Sequence, residues 1–376
     1  MDAPSSKAPS DKPGISHPPT AALPNGKRRG SIRKDEPVDM KYNANLQGVH
    51  VRRYQSSDEN LWNGFLAQSK NGSFLFHRNY MEYHQDRFED ASLLVFNGSD
   101  QLIALAPANR KGDVFQSHGG LTYGGIVIDE RMSAALFLEI FKALLAHLQE
   151  RSVAAVEYKT IPHIYHRYMS EEDLYALFLC GAEIYRCDAL SVIGYPERPR
   201  FRKGRISERS KARRLGLRVE RSEDWEAYWD ILTENLRSRY GQTPTHDINE
   251  ILLLKSRFPS NIHLHCAYNG AELQSGCVIY ETERVAHLQY MASTPQARQT
   301  GALDLLLSHL IEDVYAHKAF FDFGISNEDN GHYLNHGLID FKEGFGARTV
   351  VQQFFRVDCN RVDIRALDAG RRSDAD

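Results

Sequence analysis

The residue types that could carry out chemistry gather mainly in the second half of the chain. In "LIDFKEGFGAR", Lys342 stands between Phe341 and the turn Gly344-Phe345-Gly346, at the end of a helix-like apolar spacing. An ammonium fixed beside a tight glycine turn is placed to hold an anion. In "FFDFG", strand alternation sends Phe321 and Phe323 to one face and Asp322 to the other. A carboxylate there faces a polar cleft or a cation, which makes it a candidate base or substrate anchor. His287 and Gln289, in "VAHLQYM", share one strand face, and an imidazole titrates near neutral pH. Arg239, Tyr240 and His246, in "RYGQTPTH", sit in a loop with Gly241 and Pro244, where arginine suits a planar or phosphate anion of an acceptor. The pairs His163/His166 and His332/His336 have ligand-like spacings but no third ligand, so no metal site is read. No Ser or Cys stands in a nucleophile motif such as GxSxG, so a reaction here would run by direct attack, without a covalent enzyme intermediate.

Bulk composition narrows the classes. A net charge of -3 does not suit a whole molecule built for polyanions. Five cysteines, an odd number with no CxxC spacing, argue against a disulfide framework and a structural zinc, and fit a reducing compartment. No apolar run reaches the ~20 residues of a membrane helix, so no stable membrane insertion is expected and a cytoplasmic location is. Seven of 14 prolines fall before residue 38, so 1–45 reads as a disordered tail without a secretory signal. Residues 361–376 read as a second, polar tail.

The elements that must position these residues occur twice. "SLLVFNGSDQLIALAP" (92–107) and "HLHCAYNGAELQSGCVIY" (263–280) each read as a hairpin around Asn-Gly. A strand follows in each half, "GGLTYGGIVI" (119–128) and "RVAHLQYMAST" (284–294). Amphipathic helices come next, with Phe137, Ile140, Phe141, Leu144 and Leu148 on one face of the first. Leu303, Leu306, Leu307, Leu310 and Val314 share a face of the second. "AAVEYK" (154–159) then matches "AFFDFG" (319–324) at an offset near 165. "FLCGAEIYRCDALSVI" (178–193) matches "KEGFGARTVVQQFFRV" (342–357). The spacing predicts a mixed α/β (α+β) tandem duplication, with domains 46–197 and 198–360 divided near "GYPERPR" (194–200).

This order of elements, repeated in tandem, resembles the GNAT acyltransferase fold. Two fused halves resemble the Fem family, which transfers aminoacyl groups from tRNA to peptidoglycan precursors, and the FemAB-related acetyltransferases. The resemblance covers roughly 46–357 and is most specific in "FDFGISNEDNGHYLNHGLIDFKEGFG", where Phe-Lys precedes a Gly-Phe-Gly turn. "HGGLTYGGIV", "IPHIYHRYMSEEDLYALF" and "RYGQTPTHDINEI" also match. The helical arm of peptidoglycan-modifying Fem enzymes has no counterpart.

The resemblance implies roles. Lys342 would stabilise charge on a tetrahedral intermediate, and Tyr333 would protonate the leaving thiolate, with Asp322 and His287 as further catalytic candidates. The GNAT phosphate loop, Q/R-x-x-G-x-G/A, maps to Arg298-x-x-Gly301-x-Leu303, with Leu303 where Gly or Ala belongs. Met291, Ala292, Arg298, Thr300, Gly301 and Ala302 would hold an acyl-CoA, its pyrophosphate on backbone N–H groups at a helix start. Arg239, Tyr240, His246, Tyr123 and Lys159 would meet the acceptor, with His118 and Tyr165 lining the first half's equivalent cleft. The basic run 198–221 holds eleven Lys/Arg against two Glu and reads as a solvated interdomain helix.

The leading expectation is an acetyl-CoA-dependent N-acyltransferase. Its acceptor is a small-molecule or nucleotide-linked amine of a cell-envelope or polysaccharide precursor, such as an amino sugar. The rivals are an aminoacyl-tRNA-dependent ligase and a non-catalytic binding protein that kept the fold.

Overall fold

The computed structural model describes residues 48–368, excepting the side chain of Tyr240. The expected N-terminal tail, 1–45, lies outside the described residues, as do 369–376. The first half supplies strands β1 (His50–Arg53), β2 (Glu89–Asp90), β3 (Leu93–Phe96), β4 (Leu102–Ala106), β5 (Asn109–Lys111), β6 (Val114–Gln116), β7 (Val127–Ile128), β8 (Ala155–Lys159) and β9 (Glu183–Gly194). The second supplies β10 (Arg218–Ser222), β11 (Ile262–Asn269), β12 (Glu272–Glu281), β13 (Val285–Ser293), β14 (Phe320–Ile325), β15 (Asn327–Glu328), β16 (Tyr333–Leu334) and β17 (Arg348–Asp358). The helices are α1 (Glu59–Gln68), α2 (Arg78–Met81), α3 (Ala134–Gln149), α4 (Glu172–Leu179), α5 (Lys203–Arg214), α6 (Trp225–Tyr240), α7 (Ile248–Arg257), α8 (Ala297–Thr300), α9 (Ala302–His309) and α10 (His336–Glu343).

The two hairpins form, with different turns. In the second, Asn269 pairs with Glu272, so Gly270 and Ala271 make a two-residue turn with Gly270 at φ +61. In the first, the loop is longer: the Asn97 side chain accepts from the N–H groups of Ser99 and Gln101, and Asp100 takes the left-handed conformation. The helix faces form as the spacing predicts. Ser133 caps α3, and Phe137, Ile140, Phe141, Leu144 and Leu148 are buried. After α9 the chain widens into a π-helical turn, Leu310–Val314, keeping Leu306, Leu307 and Leu310 fully buried.

The strand expected over 119–128 shrinks to β7. In the second half one strand, β13, pairs with both β12 and β14. In the first, that work is divided: β7 pairs with β4, while β6 runs parallel to β8. The physical cause is the intervening chain. His118 sits at φ +55 and Gly125 at φ +100, and a Cβ on Gly124 would stand 1.8 Å from the Ser117 carbonyl oxygen. The backbone folds back on itself, which an extended strand cannot do.

Among the described residues, eleven strands join in one mixed sheet, β10-β11-β12-β13-β14-β9-β17-β8-β6-β5-β2, beside a second sheet β1-β3-β4-β7. The centre of the large sheet is an exchange. The first half ends in β9, which pairs with β14 of the second. The second half ends in β17, which pairs with β8 of the first. β9 and β17 pair antiparallel with each other. Each half thus closes the other's open sheet edge, so neither exposes unpaired N–H and C=O groups there. One apolar core also draws on both halves, with Trp62, Phe76 and Tyr123 in the same cluster as Trp225, Tyr228 and Val285. Each large side chain buried in this way stabilises by about 1.5–3 kcal/mol.

The polar tail expected from residue 361 is partly ordered. Ile364–Leu367 makes a 3-10 turn capped by Asp363, Leu367 is fully buried, and Lys142 pairs with Asp368. The basic run is latched down. Arg205 pairs with buried Asp304 at 2.9 Å, Arg198 with Glu312 at 3.0 Å, Arg209 also with Glu312, and Arg202 with Asp340. The helix itself stays largely exposed, with Ala212 its one buried residue, and carboxylates in α9, in the π-helical turn after it and in α10 hold one side of the basic run.

Candidate functional site

β13 and β14 lie parallel over only three residue pairs, Val285↔Phe320, Ala286↔Phe321 and His287↔Asp322, and then separate. Connected by α9, the two strands open a cleft of about 570 Å³ beyond that point. His287, Gln289, Gly324 and Ile325 line its near end, and Gln116, Glu157, Lys159 and Tyr185 its far end. Alternation places Phe321 and Phe323 in the core and Asp322 on the other face.

At the near end three side chains converge. Asp322 Oδ2 lies 2.9 Å from His287 Nδ1 and accepts from the Tyr165 hydroxyl at 2.7 Å. Its Oδ1 accepts from the Gly324 N–H at 2.7 Å. Burial pushes the Asp322 carboxyl up, but the charge and hydrogen bond of His287, with the donors Tyr165 and Gly324, outweigh it, and the net direction is down. Burial, then the charge of Asp322, drives the Tyr165 phenol well above its ordinary range. An ionised Asp322 accepts from Nδ1–H, which leaves His287 Nε2 as the ring's proton acceptor.

Lys342 lies behind the cleft floor. It is almost wholly buried, and its Nζ donates to the carbonyl oxygens of Gly324 at 3.1 Å and Ile325 at 2.5 Å. It thereby pins the break in β14, where Gly324 takes φ +71 and the register against β9 shifts. Burial pulls the Lys342 ammonium down to about 8, with Asp322 opposing the fall. An ammonium has three N–H groups, and two of them are committed here.

The second cleft, of about 310 Å³, gathers Met291, Ala292, Arg298 and Gly301 with Arg239. Thr300 and Ala302 do not line it: Thr300 Oγ1 donates to the Ala297 carbonyl, and Ala302 is fully buried in the core. Gly301, at φ +75, is explained by packing. A Cβ there would lie 2.4 Å from the Glu208 carbonyl oxygen of α5.

Other candidates scatter. Tyr333 is 56% exposed on the β15–β16 ribbon and lines neither cleft. His246 is buried, its Nδ1 2.6 Å from the Tyr290 hydroxyl, and burial pulls it down to about 4. Tyr123 is buried, donates to Ser73 Oγ at 2.7 Å and packs on Tyr165 with ring centroids 4.5 Å apart. His118 is buried near His84 instead of lining the long cleft. Lys159 does line it, its Nζ donating to the Leu121 carbonyl at 2.5 Å. Burial pulls it to about 8, Arg186 adding to the fall and Asp188 opposing it. Tyr240's side chain lies outside the described residues. Among the described residues, no three His, Cys, Asp or Glu side chains converge as a metal ion needs.

Sequence reading missed the reach of Tyr165 into the second half, and it missed Gln116 and Glu157. The last two had a signal. Glu157 stands opposite Gln116 as Asp322 stands opposite His287, one repeat apart.

Residues 199–342 match the family model described as an acetyltransferase (GNAT) domain. No curated protein matches the sequence. Among solved structures, the chain is similar to FemX, at 13% identity over 82% of this chain and 97% of that one, with TM-score 0.58. It is also similar to the C-terminal domain of a putative lysylphosphatidylglycerol synthetase from Agrobacterium fabrum, at 12% identity, 81% and 92% coverage and TM-score 0.53. A third likeness is L-PGS from Bacillus licheniformis, at 12% identity, 85% and 99% coverage and TM-score 0.53. The chain has the tandem, FemAB-like GNAT acyltransferase fold. Among the described residues, no helix is long and apolar enough to cross a membrane.

Proposed function

We propose that this chain, built on an acyltransferase fold, moves an acyl group from a thioester to an amine at His287. The observation that carries the reading is the Tyr165–Asp322–His287 cluster at the mouth of the β13/β14 opening. Asp322 fixes the ring so that Nε2 can take the proton of an attacking amine. The nitrogen bonds to the acyl carbon, the carbon–sulfur bond breaks, and the thiolate leaves with a proton from solvent. Lys342, charged at neutral pH, supports the developing oxyanion from behind the floor and holds Gly324 in place. Arg239 and Arg298, in the second cleft, suit the phosphates of an acyl-CoA donor. The acceptor is an amine on a cell-envelope or polysaccharide precursor, such as an amino sugar.

The test is thiol release from acetyl-CoA with glucosamine as acceptor, comparing wild type with His287→Ala. Release by wild type that falls by about 10²–10⁴-fold in the variant supports the reading; equal release by both proteins defeats it.

A second reading follows from the resemblance to the Fem family, which draws aminoacyl groups from tRNA. In it the donor is an aminoacyl ester on tRNA. Activity would then be destroyed by ribonuclease and weakened steeply by salt.

A further inference from the structure

We propose that the long cleft is a groove for a linear, uncharged oligosaccharide, with a recognition end far from the reacting amine. This rests on the acyl-transfer reading only for which end is reactive.

Length comes first. Gln116 and Glu157 are the first-half counterparts of His287 and Asp322, joined by a hydrogen bond from Gln116 Nε2 to Glu157 Oε2 at 2.7 Å. An amide cannot take up a proton at neutral pH, so this end cannot repeat the chemistry of the other. Both ends line one continuous cleft. β17 carries the register from Arg348, on the Asp322 row, to Arg356, opposite Glu157. That is about eight residues, roughly 26 Å of strand, plus three strand spacings sideways. One compact sugar or amino acid cannot reach both ends.

Charge comes second. The lining holds two cations, Lys159 and Arg186, and two carboxylates, Glu157 and Asp188. Three of them have a partner of opposite charge, Glu157 in Arg356 at 3.3 Å. Arg186 grips Asp188 through Nε at 2.9 Å and Nη2 at 2.7 Å, and Lys159 is spent on backbone carbonyls. A nucleotide diphosphate would find one cation without a carboxylate partner, Lys159, and burying the rest of its charge unpaired is costly.

Chemistry comes third. Between the ends lie the Thr122 hydroxyl and the Gln352 amide, whose Nε2 donates to the Thr122 and Thr160 carbonyls, beside the rings of Tyr185 and Phe354, which meet edge-on at 6.2 Å. Tyr185 is 42% exposed, so its ring is open to a ligand. Hydroxyl-rich rings need paired donors and acceptors on their edges and an apolar surface under their faces.

The test uses N-acetylglucosamine oligomers of one to five units, each bearing a single terminal free amine, with binding measured by calorimetry. The readout is the ratio of monomer to pentamer Kd, in wild type, Tyr185→Ala and Gln116→Ala. We expect a gain of at least about tenfold with length in wild type, and its loss in both variants. No gain with length, the same gain in the variants, or a larger gain with lysine-terminated peptides of matched length overturns the groove. Acetyl transfer is assayed separately with the monomer. A Tyr185-dependent gain without transfer leaves the groove standing and overturns the reaction; transfer without the gain does the reverse.

Discussion

Tyr165 and Asp322 belong to different halves of the chain, yet the Tyr165 phenol donates to Asp322 Oδ2 at 2.7 Å. The carboxylate that orients His287 is therefore held by both halves. The exchanged strands β9 and β17 fix those halves to each other, so the geometry at His287 depends on the whole chain folding.

Tyr165 acts through Asp322, and its test must separate positioning from packing. In Tyr165→Phe the ring stays and one donor to the carboxylate is lost. Asp322 is then less strongly held in its ionised form, so the acid limb of the kcat/KM profile moves to higher pH. The loss of one hydrogen bond to a charged group costs about 1.5–3 kcal/mol of stability. A melting shift with an unchanged pH profile would reduce Tyr165 to a structural residue.

Asp322→Ala should be far more damaging than His287→Ala to stability. It strands the Gly324 N–H, at about 1–3 kcal/mol, and leaves the Tyr165 hydroxyl and His287 Nδ1 only their mutual contact at 3.2 Å. His287→Ala frees only partners that keep other bonds. Denaturant midpoints of the two variants check the order.

Lys342 gives a pH signature. Its folded value, about 8, lies below its ordinary value of 10.5, so the unfolded chain binds more protons between them. Stability therefore rises with pH across that window, and below about pH 8 the full penalty applies. The stability of wild type relative to Lys342→Met should increase from pH 8 to 10, by up to about 3 kcal/mol. A flat difference, measured by urea unfolding at each pH, would mean Lys342 is not desolvated.

The second cleft separates packing from binding. Gly301→Ala is strained by both its positive φ and the Glu208 carbonyl, and should destabilise by more than about 1 kcal/mol. Arg298→Ala and Arg239→Ala should leave melting unchanged and weaken acetyl-CoA binding. Removing one charge-assisted hydrogen bond to a phosphate costs roughly 1 kcal/mol, about fivefold in Kd, and less at high salt. Calorimetry at two ionic strengths decides.

Local pattern made much of this molecule legible. The apolar faces of α3 and α9 follow from a spacing of three and four residues, because the helix period is set within the segment. Phe321, Asp322 and Phe323 divide between core and cleft because strand side chains alternate. Gly270 turns the second hairpin because a left-handed residue is needed there. Duplication itself was visible, and with it the correspondence of Glu157 to Asp322. What the sequence did not decide is which strand lies beside which. Nothing within 183–194 says that β9 joins the second half's sheet, since backbone pairing is blind to side-chain identity and any open edge will accept a strand of matching length. Nor did it decide where side chains meet across the fold. Tyr165, 157 residues from Asp322, Lys342 on the carbonyls of Gly324 and Ile325, and Gly301 under α5 all meet segments distant in the chain. Those meetings exist only once the exchanged sheet has closed, so the candidate residue types could be read from the chain while their grouping had to come from the tertiary structure.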